Sequence, residues 1–236
     1  MSAEDLAQII GYSFVRSALL KEALTHPSAL VSGHARGRRR GDHASDRSYE
    51  RLEFLGDRVL GLIIADLLWR RFENEAEGQL TRRHTHLVRR ETLASVAKLI
   101  GLGPHVILSR AERAAGAEGN SAILADVCEA LIAAIYLDGG FEAAAAFVCR
   151  FWQPLLDDMA GPPRDPKTAL QEWAQARGLA LPSYELVASS GPGHALRFTV
   201  EASVARCHRA TATASSKRVA EAAAAQRLLE LLGEER

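Results

Sequence analysis

Five of the acidic side chains in two strongly apolar stretches of the chain lie at helical spacings from one another. Glu50, Glu53 and Asp57 belong to "SYERLEFLGDRVLGLIIADLLWRRF", and Asp126 and Glu129 belong to "AILADVCEALIAAIYLDGG". On a helix, spacings of i, i+3 and i+7 bring the first three acids to one face, and i, i+3 does the same for the pair. Carboxylates beside a buried stripe are costly unless they are paired or bound to a metal. The two stretches therefore predict helices that pack together and pool their carboxylates.

Such a pool indicates a divalent cation. Four or five carboxylates without matching Lys or Arg residues would repel one another strongly, and a cation relieves that repulsion. Oxygen ligands with few His or Cys nearby favour Mg²⁺, with Mn²⁺ as a substitute. Two alternatives stay open: either helix alone is more simply a solvated face, and a di-iron carboxylate bundle is a rival. That bundle needs Glu-x-x-His on two helices, and neither acidic helix has a His at that offset.

The composition is that of a globular protein without a global charge bias. The chain has 236 residues, 47% of them hydrophobic, and a formal net charge of +0, so a polyanion site requires local clustering or metal ions. Cys128, Cys149 and Cys207 form no CxxC pair, which supports neither a disulfide framework nor a zinc knuckle. The N-terminus carries acids where a signal peptide carries bases, and acids interrupt the apolar runs. We expect a cytoplasmic protein without a membrane span.

Helical periodicity runs through the first two thirds of the chain, and the pattern then changes. The predicted helices of the first part are Ala3–Ile10, Arg16–Leu24, Ser48–Phe72, Gln79–Leu99, Ser121–Leu137 and Phe141–Phe151. After the polar stretch "DDMAGPPRDP", a short amphipathic helix, three alternating stretches and a helix capped by Ser215 or Ser216 predict the order α-β-β-β-α. We expect a multi-domain chain: an all-α domain over 1–156, a linker over 157–165 and a small α+β domain over 166–236.

The motifs resemble those of the ribonuclease III family. "ERLEFLGDRVLGL" resembles the signature motif of that family, and "LADVCEALIAAIYLDGG" resembles its second acidic motif. "LTHPSAL" before the signature and "EGQLTRRHTHLVRRETLA" after it fit in order and spacing, and the second unit resembles a double-stranded-RNA-binding domain. The resemblance implies an all-α catalytic endonuclease domain followed by that binding domain. It implies Mg²⁺-dependent hydrolysis of both strands of double-stranded RNA, giving 5′-phosphate and 3′-hydroxyl ends with a short 3′ overhang. Ribosomal RNA precursors and structured messenger RNAs are the implied substrates.

The resemblance also assigns roles to residues of the first domain. Four positions match the metal-binding acids of the family: Glu53, Asp57, Asp126 and Glu129. Asp57 and Glu129 would be catalytic, and loss of Glu129 is expected to abolish chemistry while leaving RNA binding largely intact. Glu50 and Glu77 match assisting acids at the edge of the cleft. Phe54 matches a residue of the subunit interface of a homodimer; alternatively, it is a core residue of its own chain.

Positions in the second domain match residues that contact an RNA duplex, which proteins recognise by its shape, phosphates and 2′-hydroxyls. They are Thr168, Gln171, Glu172 and Gln175 on the first helix, His194 in the loop "SGPGH", and Lys217 and Arg218 at the start of the last helix. Taken alone, the basic pair would be an ordinary solvated helix start. Family members commonly have glycines before this pair, where the chain has Ala212 and Ala214. We expect modest, salt-sensitive affinity.

Some alternatives remain open. The Arg-rich segment 33–47, with Arg36–Arg40 at its centre, is either a solvated loop or an extra phosphate contact near the cleft. A catalytically silent, duplex-binding regulatory protein is a second function class, and a carboxylate-bundle oxidoreductase, with bound iron and no RNA affinity, is a third. All four matching metal-ligand positions are filled, which favours the enzyme.

Overall fold

The computed structural model describes residues 3–31, 47–159, 161–162, 165–191, 196–205 and 208–234. The chain divides into two compact units, Met1–Pro163 and Arg164–Arg236. Each unit has a hydrophobic core of its own.

The first unit is built from helices. They are α1 (Ala3–Ile10), α2 (Ser17–Ala23), α3 (Pro27–Val31), α4 (Glu50–Arg71), α5 (Glu77–Leu87), α6 (Arg90–Ile100), α7 (Arg110–Ala114) and α8 (Ser121–Asp157), with short 3₁₀ helices at Gly103–His105 and Ala117–Gly119. The predicted all-α architecture is confirmed. Gly140 interrupts α8 with a φ of 82°, at the glycine pair where the sequence predicts a break. None of the helices in the described ranges is both long enough and apolar enough to cross a bilayer.

The prediction of one helix over Gln79–Leu99 was wrong, because α5 ends and α6 begins within that range. Side chains from elsewhere satisfy carbonyls that are left open at the end of α5. The Thr92 hydroxyl donates a hydrogen bond to the His86 carbonyl at 2.8 Å, and the buried Trp152 indole N–H donates to the Leu87 carbonyl at 2.9 Å. Apolar periodicity continues across this break, so the sequence pattern alone does not show it.

The helices α4 and α8 cross at the centre of the first unit, and both bury apolar faces there. Gly56 lies at the crossing: a Cβ atom added to it would stand 1.8 Å from the carbonyl oxygen of Glu129. Because that oxygen belongs to the backbone, no side-chain rotation could relieve the overlap. The absence of a side chain at position 56 therefore lets the two helices approach closely enough to bring their acids together.

Two charged side chains with little or no exposed area join segments of the first unit by hydrogen bonds. The Asp138 side chain, with 0% of its area exposed, accepts hydrogen bonds from the Tyr12 hydroxyl at 2.9 Å and the Val15 N–H at 2.8 Å, which ties the segment after α1 to α8. The Arg83 side chain is 3% exposed and donates two hydrogen bonds to Glu75, at 2.8 and 2.7 Å. The guanidinium of Arg83 also lies 3.8 Å from the centre of the Phe72 ring. These contacts hold segments that apolar burial alone would position loosely.

The second unit has the predicted order α-β-β-β-α. It consists of α9 (Pro166–Gln175), β1 (Ser183–Ser190), β2 (Arg197–Val204), β3 (His208–Ala214) and α10 (Lys217–Glu234). The strands form an antiparallel sheet in the order β1-β2-β3, and both helices pack on it through a small core that includes Leu170, Ala202 and Leu228. Of the two predicted caps for α10, Ser216 is the one used: its hydroxyl accepts from the Val219 N–H at 3.3 Å.

Candidate functional site

Three of the predicted acids meet where α4 crosses α8. Glu53 on α4 faces Asp126 and Glu129 on α8, so the two helices pool their charges as the spacing predicts. Burial, followed by the negative charges of Glu53 and Asp126, raises the pKa of Glu129 to about 7. The nearby cations Arg90 and Arg58 oppose this shift in pKa without cancelling it. Any positive charge added near this carboxyl group would favour its ionised form.

The same causes act on the other two acids. Burial, then the charges of Asp126 and Glu50, raises the pKa of Glu53 above its ordinary value. Burial also raises the pKa of Asp126, although Arg90 and a hydrogen bond from Tyr49 work in the opposite direction. The acids therefore form one electrostatic cluster, which we call the acid cluster: Glu50, Glu53, Asp126 and Glu129.

Asp57 and Glu77 are placed differently. Asp57 follows Glu53 by one turn of α4, has 43% of its side chain exposed and forms an ion pair with the adjacent Arg58. Glu77 begins α5, is exposed, and its carboxylate accepts a hydrogen bond from the Thr81 hydroxyl at 2.7 Å instead of contacting the acid cluster. Within the acid cluster, Glu50 is the exposed member and accepts from the Ser48 hydroxyl at 2.7 Å.

Two residues at the cluster are not predicted by the sequence reasoning. Tyr49, which is 4% exposed, donates a hydrogen bond from its hydroxyl to Asp126 Oδ2 at 3.4 Å. Arg90, the first residue of α6, is close enough to lower the pKa of Glu53, Asp126 and Glu129. Neither contact has a local signal, because each joins residues more than 30 positions apart. The only sequence feature at Arg90 is a pair of bases directly before an apolar helix.

The donor set of the acid cluster suits a hard divalent cation. Its ligand atoms are carboxylate oxygens on two rigid helices, and hard cations prefer oxygen. Within the described ranges, no three acidic, histidine or cysteine side chains already form a cation cage. A cation would thus have to draw these carboxylates closer than they lie here. It would offset both the burial of Glu129 and the negative charges of Glu53 and Asp126, which together raise the pKa of Glu129.

Phe54 lies on the outer side of α4. Its side chain is 67% exposed, so it is not a core residue of its own chain. The Arg58 guanidinium lies 5.2 Å from the centre of its ring. Further along α4, Leu62 and Trp69 are 60% and 73% exposed. The helix that carries the acids therefore also presents large apolar side chains to solvent, which is a common mark of an interaction surface.

In the second unit, the predicted contact residues share an exposed face of α9. The four residues of that face are Thr168, Gln171, Glu172 and Gln175. Their spacing places them opposite Leu170 and Ala174, which are buried. Lys217 and Arg218 are exposed in the first turn of α10, where backbone N–H groups and basic side chains together suit a phosphate. His194 and residues 33–46 of the Arg-rich segment lie outside the described residues.

Family comparisons divide the chain in the same place as the fold. The model of a family described as ribonuclease-III-like matches residues 16–155. The model of the double-stranded RNA binding motif matches residues 166–232.

Curated relatives match over nearly the full length. Ribonuclease 3 of Wolbachia pipientis is 44% identical over 232 residues, covering 98% of this chain and 97% of that protein. Ribonuclease 3 of Azorhizobium caulinodans is 48% identical over 220 residues, covering 93% and 90%.

Solved structures agree for the first unit. The nuclease domain of ribonuclease III from Campylobacter jejuni is 34% identical, covers 67% of this chain and 98% of that one, and superposes with a TM-score of 0.57. A second structure of that domain, with 35% identity, 65% and 97% coverage and a TM-score of 0.56, is described for structural flexibility in a region involved in dimer formation.

Proposed function

Because the chain belongs to the ribonuclease III family, it is an endoribonuclease of double-stranded RNA, and we propose that the acid cluster together with Asp57 is its catalytic centre. The observation that carries this proposal is the meeting of Glu53, Asp126 and Glu129 where α4 crosses α8. Each of these positions matches a metal-binding acid in the motifs of the family. The products would have 5′-phosphate and 3′-hydroxyl ends with a short 3′ overhang.

The proposed cofactor is Mg²⁺, for which Mn²⁺ could substitute. The residues that would hold it are Glu53, Asp57, Asp126 and Glu129. When bound, the metal polarises the scissile phosphodiester and makes a water molecule a better nucleophile. The exposed Glu50 would assist at the rim of the cluster, and we keep Glu77 as a second assisting acid, although it binds Thr81 in this structure. Arg90 would offset part of the repulsion among the carboxylates before a cation arrives.

We further propose that two copies of the chain act together. A homodimer formed through α4 would cover Phe54, whose ring is two-thirds exposed in the single chain. A solved relative from C. jejuni has a region involved in dimer formation in the corresponding nuclease domain. A two-fold axis would place one acid cluster on each strand of the duplex, which accounts for staggered cutting.

The second unit would hold the duplex. The exposed face of α9 suits a minor groove, and Lys217 and Arg218 suit the phosphates. His194 would enter a neighbouring groove. We expect the substrates to be ribosomal RNA precursors and structured messenger RNAs, and the compartment to be the cytoplasm, where such RNAs are made and free thiols such as Cys128 stay reduced.

Cleavage of an end-labelled, perfectly paired RNA duplex tests the catalytic centre. The parent protein is expected to cut both strands with a stagger in Mg²⁺, and to bind without cutting in Ca²⁺ or EDTA. Glu129→Gln is expected to bind the duplex as the parent does and to cut below about one hundredth of the parent rate, because it removes a cation ligand. Glu142→Gln is the matched control, since Glu142 is an exposed acid on the same helix.

Two results would count against the proposal. Cleavage by Glu129→Gln at near the parent rate would remove Glu129 from the catalytic centre. Tight binding without cutting in any divalent metal would move the chain to the duplex-binding regulatory class.

A further inference from the structure

We infer that Tyr49 and His26 are positioning residues, which fix the orientation of the Asp126 carboxylate at the acid cluster. Tyr49 directly precedes α4 and is buried, and its hydroxyl reaches across to Asp126 Oδ2 on α8 at 3.4 Å. A hydrogen bond to one carboxylate oxygen restricts rotation of the group and leaves the other oxygen for a ligand. This inference rests on the proposed cation site, because it assigns an orienting partner to one of the ligands of that site.

The ring of Tyr49 is held by His26. The two rings meet edge to face, with 5.7 Å between their centres and 63° between their planes. His26 is itself fixed: its Nδ1 accepts from the Ser28 N–H at 3.1 Å and lies 2.8 Å from the Ser28 hydroxyl oxygen. Since Nδ1 accepts the amide proton, the neutral ring carries its own proton on Nε2. The Ser28 hydroxyl in turn accepts from the Ser109 N–H at 3.1 Å.

The backbone around these side chains is equally constrained. The Tyr49 N–H donates to the Thr25 carbonyl at 2.9 Å. The His26 N–H donates to the Ile107 carbonyl at 3.0 Å, and the Ile107 N–H donates to the Leu24 carbonyl at 2.7 Å. The segment before α3, the start of α4 and the segment before α7 are thereby joined into one rigid support. Within the described ranges, the hydrogen bond that joins this support to Asp126 comes from the Tyr49 hydroxyl.

The chain supplies a matched control for removing that hydroxyl. Tyr12 also donates from its hydroxyl to an aspartate, Asp138, at 2.9 Å, but away from the acid cluster. Tyr49→Phe and Tyr12→Phe therefore delete the same atom and the same type of hydrogen bond. The Tyr12 bond is the shorter of the two, at 2.9 Å against 3.4 Å, so the control removes a hydrogen bond of at least equal geometry.

The experiment is a titration of the full-length protein, free of RNA, with Mn²⁺ alone, followed by the electron paramagnetic resonance signal of the unbound ion. Tyr49→Phe is expected to weaken Mn²⁺ binding about tenfold, the lower end of the range for orienting partners, because the bond is long. Tyr12→Phe is expected to bind like the parent. His26→Leu, which removes the ring that faces Tyr49, is expected to weaken Mn²⁺ binding in the same direction. In the cleavage assay, a higher Mg²⁺ concentration is expected to restore the rate of Tyr49→Phe.

Each other outcome overturns the inference. If Tyr49→Phe bound Mn²⁺ as tightly as the parent while Glu129→Gln did not bind it, Tyr49 would have no positioning role. The proposed cation site would stand. Equal losses in Tyr49→Phe and Tyr12→Phe would show a general effect of stability, which thermal unfolding of both variants would register. A parent protein that binds no Mn²⁺ would overturn the proposed cation site and this inference together.

Discussion

Gly56→Ala is the sharpest test of how the acids are brought together. An added Cβ would lie 1.8 Å from the Glu129 carbonyl oxygen and 2.4 Å from its carbonyl carbon, whereas real Cβ contacts are not shorter than 3.0 Å. The helices α4 and α8 must therefore separate by more than 1 Å at the point where the acids meet. A misplacement of about 1 Å in a catalytic group costs about 100-fold in rate, so we expect kcat/KM for duplex cleavage to fall by that factor.

The stability of Gly56→Ala should fall as well. Overpacking costs about 1–3 kcal/mol, and the upper end applies here because the obstacle is backbone. Alanine returns about 1 kcal/mol of helix propensity, which leaves a net loss of about 2 kcal/mol. For a protein of this size that loss lowers Tm by about 4–8 °C in thermal unfolding.

Gly61→Ala is the control for Gly56→Ala. Gly61 lies on the same helix, but an added Cβ would meet only the His84 side chain, at 3.7 Å, an ordinary contact. We expect parent-like cleavage and a Tm that is unchanged or slightly higher. Cleavage should be measured well below both Tm values, so that folded fractions are equal. If Gly56→Ala cut and unfolded like the parent, close approach of the helices would not be what positions the acids.

Three further predictions concern charge. The pKa of Glu129 is raised to about 7 in the folded protein, so in EDTA the stability that the protonated Glu129 side chain contributes is present at pH 4 and is lost as the pH rises toward about 7. The Tm of Glu129→Gln should therefore rise relative to that of the parent between pH 5 and pH 8. Glu75→Gln leaves the buried Arg83 without its charge partner and should lower the free energy of unfolding in urea by about 3 kcal/mol. Replacing both Lys217 and Arg218 by Gln should weaken duplex binding and reduce the salt slope by about 2, with Tm unchanged.

Exposed charges supply the controls for the last two of these predictions. Arg70→Gln breaks an exposed i, i+4 pair with Asp66 and should change the free energy of unfolding by less than about 0.5 kcal/mol. If Glu75→Gln changed the free energy of unfolding by no more than Arg70→Gln does, burial would not be what makes the Arg83–Glu75 pair stabilising. Arg227→Gln, on the exposed side of α10, should leave the salt slope unchanged. A Tm difference between Glu129→Gln and the parent that does not vary with pH would show that Glu129 titrates normally.

Local periodicity was enough to predict the two helices that carry the acid cluster. The apolar spacing around Glu53 and Glu129 predicts both acidic helices, and the cost of burying carboxylates predicts that these helices meet. The α-β-β-β-α order follows in the same way from alternation. Even α7, which lies outside the predicted helices, has a local signal: the Ser109 hydroxyl accepts from the Glu112 N–H at 3.2 Å, in a Ser-x-x-Glu pattern.

What the sequence did not predict depends on contacts between distant residues. The break between α5 and α6 needs the Trp152 indole N–H, which reaches a carbonyl 65 positions earlier in the chain. The Tyr49 hydroxyl lies next to Asp126 across 77 positions. Neither relation leaves a periodic pattern, because each is fixed by how whole helices cross. Such contacts follow only once the packing of α4 on α8 is known.

The crossing of α4 and α8 also has a consequence for the time at which this nuclease can become active during its own synthesis. Glu53 leaves the ribosome long before Glu129, and at about 5–20 residues per second the interval is roughly 4–15 seconds. Throughout that interval the nascent chain carries only half of the acid cluster. The RNA that surrounds a translating ribosome is thus exposed to a chain that lacks half of the proposed catalytic centre until the second half of the helical unit is made.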